Sequence, residues 1–192
     1  MAKTAFATTC LVLGALSVTA CAPARIHAYP QQYPDALVAT AQDAVPEIPE
    51  DAAARFAAFF ESVHEDDVRP RVEALYAPNA YFSDTLFLAR ERESLVSHFE
   101  RLQRSGTRID VELDDHVVSG SDLYLRWRMT FTFEVAGSER VSETIGMTQL
   151  RFDRDGRIRF HQDFWDSAQG FYQHVPVLGA AIRSVARRME SN

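Results

Sequence analysis

Between Leu123 and Glu134 the chain alternates without a break. Leu123, Leu125, Trp127, Met129, Phe131 and Phe133 interleave with Tyr124, Arg126, Arg128, Thr130, Thr132 and Glu134. A period of two sustained over that length predicts a strand with one buried face. Arg108 to Val118, closed by Ser119-Gly120-Ser121-Asp122, and Glu139 to Phe152, entered through Gly137-Ser138, read as neighbours in the same meander. A tight Asp153-Arg154-Asp155-Gly156 turn leads into a last strand, Arg157 to Asp166. Alternation there puts Ile158, Phe160, Gln162 and Phe164 on one face, and Arg157, Arg159, His161, Asp163 and Trp165 on the other. The second face aligns an imidazole, a carboxylate and an indole.

Upstream the period changes from two to that of a helix. Phe56, Phe59, Phe60 and Val63 follow Glu50-Asp51 at the spacing of a buried stripe and predict a first helix of about thirteen residues. Asp66 or Asp67 opens a second, with Pro70 in its permissive first turn, Val68, Val72, Leu75 and Tyr76 facing inward, and Pro78-Asn79 ending it. Ala80 to Asp84 is short and aromatic, as a strand would be, and leads into Thr85-Leu86-Phe87-Leu88. Glu91 to Gln103 forms a third helix, with Leu95, Val96, Phe99 and Leu102 on one side and Ser105-Gly106 as its stop. Helices followed by an antiparallel meander predict an α+β domain over residues 49–192, with the helices covering one sheet face.

The ends of the chain have their own character. Lys3 followed by Leu11, Val12, Leu13, Ala15, Leu16 and Val18 reads as a secretory leader over residues 1–20, since the apolar run is too short to span a bilayer. It closes on Val18-Thr19-Ala20-Cys21, which resembles the lipobox of bacterial lipoproteins, with valine in place of the commoner leucine. That resemblance implies cleavage before Cys21 and its lipidation, palmitate included, leaving no disulfide because Cys10 is discarded. Ala22 after the cysteine, in place of aspartate, implies the outer membrane, with the domain facing the periplasm of the cell envelope. Residues 21–48, with prolines at 23, 30, 34 and 46 and no sustained periodicity, read as a Pro/Ala-rich tether. At the other end Leu178, Ile182, Val185 and Met189 form a stripe with Arg183, Arg187 and Arg188 off it. Two readings of this basic amphipathic tail stand: it lies on an anionic membrane, or it packs on the domain or a partner.

The 192 residues, 46% hydrophobic and 24% charged, hold one domain with a core once the leader is removed. A net charge of -7, without a basic stripe along the domain, excludes nucleic acid as the expected partner. No HExxH pair, CxxC, phosphate loop, Gly-x-Ser-x-Gly elbow or dinucleotide fingerprint occurs, so neither a metal nor a cofactor is expected. His64, His98, His116 and His174 are scattered and read as surface or core residues.

The order of elements, the first-helix phenylalanines, the run Leu75 to Asp84, the third helix with Leu95 and Phe99, and His161-Gln162-Asp163-Phe164-Trp165-Asp166 together resemble the nuclear-transport-factor-two-like superfamily. Within it they resemble the SnoaL-like, polyketide-cyclase-like branch. The resemblance spans about Pro49 to Trp165 and implies a cone: three helices packed on a strongly bent antiparallel sheet, followed by a C-terminal helix, around an apolar pocket. It also implies homodimers through the exposed sheet face. Members are isomerases, cyclases, hydrolases and domains that only bind, so fold carries further than activity.

Two functions follow. In the first, a membrane-anchored lipoprotein holds a small hydrophobic ligand or a protein partner. In the second, an acid-base isomerase, cyclase or hydrolase acts on a hydrophobic small molecule. Asp84, at the edge of the first strand where the resemblance implies an aspartate, and Asp163 with His161 are the catalytic candidates. Tyr76, Tyr81 and Tyr124 are candidate donors to a ligand, and Trp127 and Trp165 candidate walls. The plainer alternatives are a turn cap for Asp84, a surface ion pair or a satisfied polar pair at the rim of the core for His161 and Asp163, and simple packing for Trp165. Asp166 is expected to cap the next helix rather than to react.

Overall fold

A computed structural model of the chain describes residues 28–42, 44, 47–65 and 67–190, with side chains from residue 31. The leader, Cys21 and Asp66 lie outside these residues. In chain order the elements are α1 (Ala28–Ala41), α2 (Ala52–Glu61), α3 (Val68–Leu75), β1 (Tyr76–Ser83), β2 (Leu88–Ala89), α4 (Arg92–Arg104), β3 (Arg108–Ser119), β4 (Asp122–Val135), β5 (Ser138–Phe152), β6 (Ile158–Trp165), α5 (Ser167–Gly170), a 3₁₀ turn (Tyr172–His174) and α6 (Leu178–Glu190). The strands form one sheet in the order β2-β1-β6-β5-β4-β3. Every pairing is antiparallel except β1 with β6. The α+β cone is therefore as expected, with one parallel pair, β1 with β6, set one strand in from the β2 edge. No helix among the described residues is long and apolar enough to cross a membrane.

α2, α3 and α4 roof one face of the sheet. Phe56, Phe59, Phe60, Val72, Leu95 and Phe99 pack there against Tyr76, Phe82, Leu125, Leu150 and Ile158. β4 keeps its period of two: Leu123, Leu125 and Trp127 are buried under the helices while Arg126 and Arg128 point out. Beyond the helices the roof is continued by the chain after β6, where Phe171 lies 5.3 Å from Phe133 between ring centres.

β6 departs from strict alternation. Phe152 pairs with Ile158 and Arg151 with Phe160, so Arg159 is the extra residue of a β-bulge. The parity flips there, and Ile158 enters the helix-side core while Phe160 faces the opposite side. The expectation that those two share a face is corrected by this one residue. His161, Asp163 and Trp165 stay on the roofed side because they all follow the bulge.

α3 ends at Leu75 and the chain enters β1 at once, so Pro78-Asn79 lies within a strand instead of stopping a helix. The β1–β6 register breaks between Tyr76 and Tyr81, and a proline without an N–H is tolerated at such an irregularity. Tyr76 thereby becomes a buried strand residue.

The segment read as a tether contains α1, which docks on the outer face of the sheet. Ala36 packs with Tyr81 and Phe160, flanked by Tyr33 and Leu37. The Tyr33 hydroxyl donates to Gln149 Oε1 at 2.7 Å, and Arg151 Nη1 donates to the Leu37 carbonyl at 2.7 Å. Pro34 lies inside this helix, at a cost of about 3 kcal/mol in an isolated one. Tyr33, Ala36, Leu37 and Thr40 share a helical face, and their burial offsets that cost.

Candidate active site

The roofed face encloses a cavity of about 120 Å³, walled by aromatic and aliphatic side chains that include Phe60, Phe82, Phe99, Leu102, Ile109, Trp127, Met129 and Phe131. Three ionisable side chains line it: Asp84, His98 and Asp163. A wider groove of about 640 Å³ near Asp110, Arg128 and Glu143 is charged and open, with Arg128 already paired to Glu112 at 2.9 Å. Small-molecule sites are concave, mostly apolar, and carry a few convergent polar groups, which selects the smaller cavity.

Gly146 makes room for it. Residue 146 lies opposite Trp127 on one side and Trp165 on the other. A Cβ there would sit inside the Trp127 ring. With no side chain at that point, the Trp127 indole lies flat across β5 and its Nε1 donates to Thr148 Oγ1 at 2.8 Å.

That bond begins a chain of polar contacts. Thr148 Oγ1 donates to Asp163 Oδ1 at 2.6 Å, His161 Nε2 meets the same oxygen at 2.9 Å, and His161 Nδ1 meets the Tyr76 hydroxyl at 3.0 Å. One tautomer satisfies all of them: Tyr76 O–H donates to Nδ1, and Nε2–H donates to Asp163. Burial, followed by the charges of Asp163 and Asp84, raises the Tyr76 hydroxyl well above its ordinary range, which keeps it a donor. His161 is fully buried, stacked on Tyr76 and 4.4 Å from the Phe82 ring centre. It cannot touch a molecule in the cavity. His161 and Thr148 hold the Asp163 carboxylate, whose described side-chain hydrogen bonds both fall on Oδ1. Oδ2 is left for a ligand.

Asp84 follows β1 and does two things. Its Oδ1 accepts from the amides of Leu86 at 2.9 Å and Phe87 at 2.6 Å, as the turn-cap reading has it. Its Oδ2 lies 3.6 Å from His98 Nε2, on the cavity side. The backbone carbonyl of Asp84 accepts from Trp165 Nε1 at 2.8 Å, which ties the C-terminal ends of β1 and β6 together. Burial lifts the Asp84 carboxyl from 3.8 to about 6, and the charge of Asp163 adds to the lift against its two amide bonds. Burial also lowers His98 from 6.5 to about 4, with Arg101 adding to the effect. At neutral pH, Asp84 is thus an anion with a titration point close by, facing a neutral imidazole that stacks on Phe87 at 4.1 Å. Proton transfer to or from a bound molecule is within the reach of such a carboxyl.

Of the expected site residues, Asp84, Asp163, Trp127 and Trp165 line the cavity, and Tyr76 joins it through His161. Tyr81 and Tyr124 do not. Tyr81 stacks on Phe160 on the outer face and donates to Gln162 Oε1, because it alternates with the inward Phe82. Tyr124 alternates with the buried Leu123 and Leu125, so it too points outward, near Asp122 and Tyr33. Phe133 and Phe160 pack elsewhere, which leaves the cavity open. Asp166 caps α5 by accepting from the amides of Ala168 and Gln169. His98 and Thr148 are the site residues that periodicity did not single out. His98 falls on the Leu95 and Leu102 stripe of α4, so a signal for it was present. Among the described residues no group of three or more His, Cys, Asp or Glu side chains is gathered as a metal ion would need.

Comparison with known proteins identifies the fold that carries this arrangement. The family model of the SnoaL-like domain matches residues 56–161. No protein of curated function matches the sequence. Among solved structures, TsrD from Streptomyces laurentii is similar at 17% identity and a TM-score of 0.53, over 70% of this chain and 99% of that one. A putative SnoaL-like polyketide cyclase from Shewanella denitrificans OS-217 is similar at 14% identity and 0.53, over 63% and 94%. An epoxide hydrolase of the LEH-like type from M. tuberculosis is similar at 16% and 0.50, over 75% and 100%. At these identities the likeness is one of fold.

Proposed function

Because the chain belongs to the SnoaL-like domain family, we propose that its domain binds a small hydrophobic molecule carrying one hydrogen-bond donor, and does so at the membrane of the bacterial cell envelope, anchored through Cys21. The observation that carries this reading is the composition of the cavity, lined by apolar side chains apart from the ionisable Asp84, His98 and Asp163. At about 120 Å³ the cavity is somewhat smaller than the apolar cavity of roughly 150 Å³ that accepts benzene, so a single small ring is the upper bound on what it takes without adjustment. The donor would point at Asp163 Oδ2, the oxygen that the Tyr76–His161–Thr148 network leaves uncommitted. The lipobox-like Val18 to Cys21 supports the anchor.

One observation favours a second reading. An aspartate titrating at about 6 at the edge of an apolar cavity suits acid-base chemistry on the bound molecule, with Asp84 as the proton carrier. The solved neighbours described as polyketide cyclases and an epoxide hydrolase agree in class, and their likeness reaches no further than fold.

Native mass spectrometry of the processed chain, released from its host's membrane, tests both the ligand and the anchor. The expected spectrum shows acyl mass on Cys21 and an additional small molecule that is lost in Asp163→Asn. A chain without any bound molecule, or one whose ligand survives the substitution, overturns the binding site proposed here.

A further inference from the structure

α6 carries an apolar stripe that the fold covers only in part, at the half-buried Ile182. Leu178, Ile182, Val185 and Met189 recur at i, i+4, i+7 and i+11, within a narrow arc, while Arg183 and Arg187 lie opposite. Val185 is 57% exposed and Met189 76%, and Gly179 is the helix's one buried residue. The helix joins the domain by its neck, where Gly179 presses on the Gln173 carbonyl and Arg183 Nη1 donates to that same oxygen at 2.9 Å. A thirteen-residue helix is marginal in water unless its apolar face is buried.

We infer that α6 lies in the surface of an anionic lipid bilayer, with its stripe in the acyl boundary and its arginines among the headgroups. Charge is the first support. α6 holds three arginines and one glutamate, a net charge of +2 (3 − 1), in a chain whose net charge is -7. Basic amphipathic helices with low mean hydropathy partition into such surfaces by apolar burial and attraction to anionic lipid together.

Position is the second support. Tyr33 of α1 packs against Phe164, and Leu37 is held by Arg151, which lies opposite Phe160. α1 therefore runs antiparallel to β6, and its first residue lies toward the C-terminal end of that strand. α5, the 3₁₀ turn and α6 leave the sheet from this same end. Only residues 22–27 separate Cys21 from Ala28, a reach of about 25 Å at full extension. This reach matters only if Cys21 is lipidated, as proposed above; α6 and the anchor would then meet one membrane.

A second copy of the chain is the competing occupant. Its charged groove near Asp110 and Glu143 would match the arginines, but the groove's lining offers only Met129 and Ile145 to the stripe. The bilayer satisfies both faces of α6.

The acylated chain, reconstituted on vesicles of phosphatidylcholine alone or with phosphatidylglycerol, decides the matter by amide hydrogen exchange. The anchor holds the protein on both, so any difference over residues 178–190 reports α6. Protection is expected to rise roughly tenfold on the anionic vesicles, to fall with salt, and to disappear in a Val185→Glu/Met189→Glu variant whose tryptophan emission is unchanged. Equal protection on both vesicles, protection on neither, or protection that follows protein concentration instead of lipid overturns the inference. If the chain stays on neither vesicle, the Cys21 reading fails, and exchange with the same vesicles in excess still decides α6.

Discussion

Replacing Arg151 by alanine is expected to destabilise the domain by up to about 3 kcal/mol, the lower end of the range for removing one partner of a buried ion pair, because this pair is largely but not wholly buried. Arg151 is 12% exposed and its partner Asp122 15%, and the two meet through paired contacts of 2.5 and 3.1 Å. The same guanidinium holds the Leu37 carbonyl of α1 and lies over the Phe160 ring at 5.8 Å. Without it Asp122 is left as an uncompensated charge and α1 loses its far fastening. Urea denaturation should show the loss in midpoint, and limited proteolysis should cut first near α1. Arg128 provides the contrast. It is 55% exposed and pairs with Glu112 and Asp114 at 2.9 Å, so Arg128→Ala should cost less than about 1 kcal/mol. Equal effects of the two substitutions would show that α1 docking does not depend on Arg151.

The second large effect is on pH dependence. Asp84 titrates at about 6 in the fold against 3.8 in the unfolded chain. Between those values the folded chain holds a proton that the unfolded chain has released, so this group's contribution declines as pH rises through 6. The difference between 3.8 and about 6 corresponds to roughly 3 kcal/mol. Asp84→Asn keeps an oxygen for the Leu86 and Phe87 amides and removes the charge. It is expected to stabilise the protein by up to about 3 kcal/mol near pH 7.5 and by little near pH 3.5. His98 has the opposite sign. Its fold value of about 4 against 6.5 means that the unfolded chain binds the proton first, so its contribution is lost as pH falls through that window. In the wild type the two trends oppose each other between 4 and 6, and Asp84→Asn should expose the acid sensitivity due to His98. Urea midpoints across this range check it. A variant whose pH profile runs parallel to the wild type would show that Asp84 is not held in an apolar environment.

The sequence and the structure part at identifiable residues. β4 was legible because an unbroken alternation leaves one choice of buried face, and the three roof helices because phenylalanine, valine and leucine mark their stripes. β6 was legible only after its bulge. Where an extra residue enters depends on the register with β5, and nothing at Arg159 announces it. α1 was hidden by two things: prolines at 30 and 34, and a buried face written with Ala36 and Thr40 instead of large apolar residues. Tyr33, Ala36, Leu37 and Thr40 have the right spacing nonetheless. Tyr124 was expected at the site although it alternates with Leu123 and Leu125, so parity alone places it outside; for Tyr81 the pattern of β1 marked no buried face, and only the structure shows Phe82 pointing inward. The Tyr76–His161–Asp163–Thr148 chain joins three separate strands, and no local pattern can bring those together.

The account rests on one cavity that receives a small apolar molecule, and the chain's only two tryptophans, Trp127 and Trp165, both line it. Titration of phenol into the processed chain, followed by tryptophan emission, reads that cavity directly. The predicted result is a saturable change that is lost when Leu102→Phe and Ile109→Phe fill the space. A change that never saturates, or one that persists in the filled variant, would contradict it.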